Sequence, residues 1–434
     1  MKARFRAMRI PQQTINHVLG DIRGLHQWMD NWNLAAQGFL TEARSEERAG
    51  RWQDAAIARI NAAMCFHIAH LVTDTDPRTL RTLRAACVST FAQAIPRIMP
   101  AVKRISLPWR ARSLPAYLSI PQSGQGPFPL LVLLNGASTC KEELLLWSLP
   151  LIEAGVAVMT IDWPGTGESA SFTGPMADCD DLTDAVFEIA GEHPDLDVDM
   201  VAIGGISLGG AVAIRSAAYD RRVMGAMAVT PPYDPLGWWG YVNPLVRLQL
   251  MTLWMTEKDA EETVAEFGLV DLVPRLRAPV LIFGAGRDMV VPPEESVALA
   301  SAAGDLATLV WYPEGGHGLY ADLEDWMTLT ARWVLGLSGR DDTAGATADP
   351  TGSSEPDALL SQAGIAPPTP ANEVHPSDTH VQSTPVDYLL DADDGVADEF
   401  ALIVTPVAHS ALASAEEAEA EDADRPHEPD IWDE

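Results

Sequence analysis

Between about residue 102 and residue 337, short unbroken apolar runs alternate with helical stretches, and this alternation restricts the fold more than any other feature of the chain. "PLLVLLNG", "VAVMTIDWPG", "VAIGGIS", "MGAMAVTPP", "APVLIFGAGRD" and "ATLVWYPEGGHG" are each followed by a segment with helical spacing, such as "DLTDAVFEIAGE", "LGGAVAIRSAA" or "LEDWMTLTARWVLGL". A strand with one wet face alternates apolar and polar residues; a strand that is apolar throughout is buried on both faces. The pattern therefore predicts an α/β chain with a mostly parallel, doubly wound sheet covered by helices on both sides. "KRISLPW" and "SLPAYLSI" read as a pair of edge strands preceding it.

Three zones follow. Residues 1–100 show helical spacing and few strand signals, which predicts an N-terminal all-α domain of about four helices. In "RWQDAAIARINAAMCFHIAHLV", Ala55, Ile57, Ile60, Ala63, Met64, His67 and Leu71 form an amphipathic stripe. Residues 101–338 are the α/β domain, with a short helical lid insertion at about 233–270. Residues 339–434 turn to Asp, Glu, Ala, Pro, Ser and Thr, and predict an acidic, disordered tail. Residues 386–404 hold enough apolar anchors to offer a docking segment for a protein partner.

The formal charge of −32 is unevenly placed. Residues 341–434 carry 23 acids against one base, Arg425, so the body is only mildly acidic. Neither nucleic acid nor an anionic membrane is expected as a partner. Cys65, Cys87, Cys140 and Cys179 are widely spaced, with no Cys-x-x-Cys pair, which argues against a disulfide framework or a zinc site. The basic N-terminus lacks an apolar segment, and the chain reads as soluble and cytoplasmic.

Within the strand–helix alternation, "GGISLGG" places Ser207 on a tight turn between a strand and a helix, the setting of a nucleophile elbow. Small residues flank the serine because strand and helix pass close together, and a Cβ at Gly205 or Gly209 would clash. A serine hydroxyl needs a base. After the sixth strand and before residue 340 the chain offers one histidine, His317, in "PEGGHG". Asp288, in "FGAGRDMVVP", follows an apolar strand and would orient the imidazole. Singly these residues also read as a turn serine, a capping aspartate and a loop histidine. Together they fall in the order Ser207, Asp288, His317, each at a strand's C-terminal end, where open α/β sheets place their sites. The oxyanion hole is expected from the amides of Leu208 and Ala137, with Ser138 as the alternate. Asp162, in "DWPGTGES", is expected to fix the turn after its strand.

With these motifs in hand, residues 20–337 resemble the branch of the α/β-hydrolase family that carries an N-terminal helical domain. That branch includes 2,6-dihydroxypseudooxynicotine hydrolase, polyketide chain-shortening pigment hydrolases and fermentation-respiration switch esterase-like proteins. The resemblance rests on "AGRWQDAAIARINAAMCFHIAHL", "GASTCKEE", "DWPGTGES", "GISLGG", "GRD" and "GGHG", with Lys141-Glu142-Glu143 more telling than the elbow. It implies the same three catalytic residues, hydrolysis of an ester or of a carbon–carbon bond beside a carbonyl, and a homodimer. Two positions depart from the pattern. Ser138 stands where relatives are often acidic, and segment 229–256 holds one acid, Asp234, where carbon–carbon hydrolases would keep an extra carboxylate. The missing extra carboxylate favours ester or thioester chemistry.

Tyr233, Trp238, Trp239, Tyr241 and Trp254 lie in the lid interval and would suit a bulky, flat, apolar small-molecule substrate, with Trp28 and Trp32 closing the same cavity. His67 and His70 share a helix face, but no carboxylate or cysteine stands at ligand spacing, so no metal and no cofactor is expected. The sequence thus predicts a serine hydrolase cleaving an ester, thioester or acyl-ketone of an aromatic or polyketide-like molecule through an acyl-enzyme. An acyltransferase or cyclase using the same acyl-enzyme, a β-diketone hydrolase, and a non-catalytic scaffold are the alternatives.

Overall fold

The computed structural model describes residues 2–71, 77–171, 176–242, 247 and 257–339. Residues 340–434 of the acidic tail, Trp254, and part of the lid interval lie outside the described residues. Eight strands form one sheet: β1 (Lys103–Trp109), β2 (Arg112–Ser119), β3 (Phe128–Leu134), β4 (Ala157–Ile161), β5 (Leu196–Ile206), β6 (Ala226–Val229), β7 (Val280–Ala285) and β8 (Ala307–Tyr312). Their order is β1-β2-β4-β3-β5-β6-β7-β8. β2 pairs antiparallel with β1 and with β4, and every other pair is parallel. This is the mostly parallel sheet with an antiparallel edge that the apolar runs predict.

β3 shows why the runs are unbroken. All seven of its residues are buried. Leu130, Val132 and Leu134 enter one core with α8 (Leu182–Glu192) and α9 (Leu208–Tyr219). Leu131 and Leu133 point to the opposite face and join the core built by the N-terminal helices. From β3 the chain moves to β4 on one side, and the following strand, β5, lies on the other. The C-terminal ends of β3 and β5 therefore flank the topological switch point, the crevice where open α/β sheets bind ligands.

The N-terminal region contains α1 (Lys2–Ala7), α2 (Gln12–Asp21), α3 (Trp28–Arg48), α4 (Trp52–Ala69) and α5 (Pro77–Ile98). The four helices expected between residues 12 and 98 are present, and α1 is an additional one. The amphipathic stripe expected on α4 needs correction. Ile57 is exposed, whereas Ala56, Ala58, Asn61, Ala62, Cys65, Phe66, Ile68 and Ala69 are buried in addition to most of the stripe. A helix that is apolar nearly all round is an interior helix; α4 packs between α3 and α5 within the core of the helical region. Trp28 and Trp32 pack edge-on or tilted against Phe5 of α1, with ring centroids 6.2 and 5.0 Å away. Both are buried in this helical core.

The two regions meet at an unusual place. α6 (Lys141–Trp147) opens with Lys141, Glu142 and Glu143, all three fully buried. Each finds partners on a different element. Glu143 takes a two-pronged ion pair from Arg4 of α1 (2.9 and 3.0 Å) and lies 3.1 Å from His67 Nε2 of α4. Glu142 pairs with Arg84 of α5, which also donates to Asp162 after β4 (3.1 Å). Lys141 Nζ reaches Asp162 (3.0 Å) and Glu168 (2.7 Å). Asp162 also accepts the backbone amides of Lys141 (2.7 Å) and Glu168 (2.8 Å), so it does more than fix its own turn. Among the described residues, no helix is long and apolar enough to cross a membrane.

Breaking a buried pair leaves its partner charged and dry, at a cost of about 3–5 kcal/mol. Arg84→Met should lower stability by about that much, read as a lower urea midpoint, because Glu142 and Asp162 lose a shared cation. The cluster also sets a pH window. Burial works to raise the Glu142 and Glu143 pKa values, but Arg84 and Lys141 around Glu142, and Arg4 around Glu143, hold both below the ordinary 4.5. Burial pulls His67 down, but Cys140 and Glu143 outweigh it and hold its pKa at about 9. Groups lowered on folding stabilise above their ordinary pKa, and a group raised on folding stabilises below its own. Stability should therefore fall as the pH drops below about 6.5, where His70, held neutral by burial, begins to cost stability, and more steeply below 4.5 as the carboxylates protonate, in denaturant melts across pH.

Candidate active site

β5 ends at Ile206, Ser207 turns the chain, and Leu208 begins α9. Ser207 has φ 54° and ψ −123°, a conformation that costs a non-glycine residue of order 1–3 kcal/mol and persists only where the surroundings impose it. Those surroundings are backbone. A Cβ on Gly205 would lie 2.3 Å from the Gly209 carbonyl, and one on Gly209 would lie 2.4 Å from the Asn135 oxygen at the end of β3. Ser207 N donates to Val229 O of β6 (2.8 Å), fixing the turn to its neighbouring strand. The Leu208 amide is in the first turn of α9, where N–H groups have no acceptor inside the helix.

The loop after β3 is held by Asn135. Its Nδ2 donates to Gly136 O (2.9 Å) and Thr139 O (2.8 Å), while its Oδ1 accepts from Thr166 (3.0 Å) and its carbonyl from Trp163 Nε1 (2.6 Å). Thr139 Oγ1 accepts the Gly136 amide (2.6 Å). Gly136 abuts the elbow so closely that a Cβ there would be 3.5 Å from Ser207 Cβ and 3.1 Å from Ile206 O. Ala137 and Ser138 thus sit on a rigid loop immediately beside Ser207.

Asp288 follows β7 and His317 follows β8. His317 Nδ1 lies 2.8 Å from Asp288 Oδ2. The other Asp288 oxygen accepts the Val290 (2.8 Å) and Val291 (2.9 Å) amides, which leaves Oδ2 turned to the imidazole. The Asp288 side chain is almost completely buried, whereas His317 keeps one-fifth of its side chain accessible. Thr230, directly after β6, is a residue the sequence reading missed. Its Oγ1 is 3.4 Å from His317 Nδ1 and accepts the Gly318 amide (3.2 Å). Its only sequence signal is its place at a strand's C-terminal end.

The lid residues separate. Tyr233 and Trp238 are half-buried and pack at the edge of the core under α9, while Trp239 is buried within it. Tyr241 is 87% exposed. The base of the insertion is tied down: Leu269 N donates to Tyr233 O (2.8 Å), and Glu295 accepts the amides of Tyr233 and Asp234 (both 2.7 Å). Glu295 comes from the helix Pro293–Ala303, well beyond residues 229–256, and the fold brings it beside Asp234. Burial first, then Asp234, pushes its pKa up.

A narrow recess of about 20 Å³, room for little more than water, is lined by His67, His70 and Arg84 of the helical region and by Ala137, Ser138 and Gly165 of the loops beside the sheet. His70 Nδ1 is buried without a partner, and burial with nearby His67 pushes its pKa down to about 3, so the ring is neutral. The expectation that His67 lacks a carboxylate or cysteine partner is corrected: its ring lies within 4.8 Å of Cys140 Sγ and a Glu143 oxygen. Those partners come from the far side of the junction, so spacing along α4 does not reveal them. Both Glu143 oxygens are already engaged by Arg4, which makes the group an ion-pair cluster.

Comparisons with known proteins agree with this architecture. A family model described as "Esterase FrsA-like" matches residues 3–233, and one described as "Alpha/beta hydrolase family" matches residues 131–428. The chain is 27% identical over 220 residues to 2,6-dihydropseudooxynicotine hydrolase of Paenarthrobacter nicotinovorans, covering 51% of this chain and 59% of that one. It is 34% identical over 173 residues to hydrolase pyiE of Pyricularia grisea (37% of each chain), and 32% identical over 233 residues to alpha/beta hydrolase ucsC of an Acremonium species (47% of each). The matched part thus spans well under two-thirds of these relatives. Among solved structures, the 2,6-dihydroxy-pseudo-oxynicotine hydrolase superposes with a TM-score of 0.70 at 23% identity, covering 78% of this chain and 97% of that one. AbyA5 superposes at 0.62 and 21%, covering 81% and 95%. With its sheet, its helical N-terminal region and these two overlapping matches, the chain belongs to the alpha/beta hydrolase family and carries an FrsA-like esterase domain.

Proposed function

We propose that the protein is a serine hydrolase acting on an ester, thioester or acyl-ketone of a bulky aromatic or polyketide-like small molecule. Ser207 attacks the carbonyl, His317 takes its proton, and Asp288 holds the imidazole. The amides of Leu208 and Ala137 receive the oxyanion. The leaving group departs with the proton from His317, and water then releases the acyl group by the same steps in reverse. The observation that carries this reading is the pairing of a strained, glycine-cradled Ser207 at the switch point with a buried Asp288 bonded to His317 at 2.8 Å. Family membership supports the reaction class. The half-buried Tyr233 and Trp238 at the lid base support a flat apolar substrate.

Cleavage of a carbon–carbon bond beside a carbonyl is the second reading. It is favoured by Glu295, which the fold brings beside Asp234 where segment 229–256 itself supplies no second carboxylate.

Treatment of the purified protein with a fluorophosphonate should label Ser207, identified by peptide mass spectrometry, and the label should be lost in His317→Ala. Ser207→Ala should lower turnover by about 10⁶-fold. Turnover unchanged in that variant sinks the mechanism. Asp288→Asn should lower kcat by about 10⁴-fold, because the amide holds the wrong imidazole tautomer. A screen of aryl esters against β-diketones separates the two readings. Glu295→Gln should selectively impair diketone cleavage if the second holds.

A further inference from the structure

We infer that Arg4, on the six-residue helix that opens the chain, is a positioning residue for the proposed active site, clamping the oxyanion loop and the histidine loop from behind. The inference rests on the reading of Ser207 and Ala137 given above. Ser138 directly follows Ala137, and Arg4 holds it twice: Nη1 donates to the Ser138 hydroxyl (3.1 Å) and Nη2 to its carbonyl (2.9 Å). The same guanidinium grips both oxygens of Glu143 at the start of α6, through Nε (2.9 Å) and Nη2 (3.0 Å). The middle of the loop between Gly136 and α6 is therefore joined to the first turn of α6 through one rigid, planar fork.

The opposite side of the fork faces the other half of the site. The Arg4 guanidinium carbon lies 5.5 Å from the ring centroid of Tyr320, three residues beyond His317. That segment is itself constrained: Gly318 and Leu319 both have positive φ, 75° and 49°. Arg4 is held in place because Phe5 beside it is fully buried against Trp28 and Trp32, and Met8 one turn on is fully buried as well. Glu143 is fixed from its far side by His67. A side chain 134 residues upstream of Ser138 thus transmits the docking of the helical region to the loop that carries an oxyanion donor.

A lysine would supply the charge but not the fork, since five guanidinium N–H groups lie in one plane and an ammonium binds as a point. The arrangement of Arg4 matches a geometric role more than a purely electrostatic one. Displacing a catalytic loop by about an ångström costs up to about 10²-fold in rate.

The test compares the full-length protein with Arg4→Gln, Arg4→Lys and Ser138→Ala. The readouts are the rate of Ser207 phosphonylation by a fluorophosphonate, kcat and KM on p-nitrophenyl butyrate, and Tm. The phosphonyl adduct places an oxygen where the oxyanion would sit, so its rate reports the hole directly. Arg4→Gln should slow phosphonylation and lower kcat by about 30- to 100-fold with KM within about twofold. Arg4→Lys should recover the Tm but stay about 10-fold slow, which a merely structural role would not produce. Ser138→Ala should give a smaller loss, about 3-fold, because the carbonyl contact survives.

Wild-type phosphonylation in a folded Arg4→Lys or Arg4→Gln variant overturns the inference, as does a loss confined to KM or to Tm. If Arg4→Gln does not fold, Arg4→Lys decides alone. Failure of the wild-type protein to label at Ser207 refutes the active-site reading itself. An enzyme that labels at Ser207 and loses nothing on changing Arg4 refutes only the positioning role.

Discussion

Three consecutive charged residues, Lys141, Glu142 and Glu143, are sealed inside the protein at the start of α6, and much of the structure follows from satisfying them. An isolated buried charge is too costly to persist, so each must be paired. Their partners arrive from separate places: Arg4 from α1, His67 from α4, Arg84 from α5, and Asp162 and Glu168 from the loop after β4. No two of these arms could be repositioned independently without stranding a charge. The cluster therefore specifies how the helical region sits on the sheet more sharply than an apolar interface of equal size, which tolerates sliding. Apolar contact supplies the bulk of the attraction: the N-terminal helices and one face of the sheet share a continuous core, with Phe91 packed edge-on against Tyr117 of β2.

The same cluster lies behind the proposed site. The loop from Asn135 to Cys140 runs from the end of β3 into α6, so the element that carries Ala137 ends where the buried charges begin. On its other side the loop touches the elbow through Gly136. Strain at Ser207 is tolerable because strand, helix and loop backbones approach within contact distance around it, and the surrounding packing leaves the turn no softer alternative. Docking of the helices, geometry of the loop and exposure of the serine are consequently one mechanical problem rather than three.

Cys140 shows how far local environment departs from residue type. It caps α6 beside Cys87, Arg84 and His67. Burial raises its pKa, but the hydrogen bond from Cys87 and the two cations outweigh that and lower it. Its neighbour Cys87 is raised, chiefly by the same hydrogen bond and by burial. The spacing of the four cysteines carries no trace of this pairing, since residues 87 and 140 meet only when α5 docks on α6.

Much of the fold was legible in the chain itself. Unbroken apolar runs mark strands buried on both faces: β3, β4, β6 and β7 are buried along their whole length, whereas β5 is exposed near its start and the edge strand β8 is only partly buried. The elbow was legible for a steric reason: Gly205 and Gly209 have no room for a Cβ, so composition records the close approach. Asp288 and His317 stood out because each follows a strand end, and the fold joins them by a hydrogen bond. What sequence periodicity could not reveal were contacts between distant segments. Ile57 fits the stripe on α4 yet faces solvent, Tyr241 sits in the lid interval yet is exposed, and Trp28 and Trp32 pack with Phe5. Glu295 and Arg4 carry no local pattern at all, and Thr230 only its place at the end of β6. By itself the sequence determined the strands, the turn and the order of the site residues, because these depend on neighbours within a few positions. Tertiary structure alone decided which charges meet, which aromatics are buried and what braces the loop beside Ser207, because those depend on surfaces brought together across more than a hundred residues.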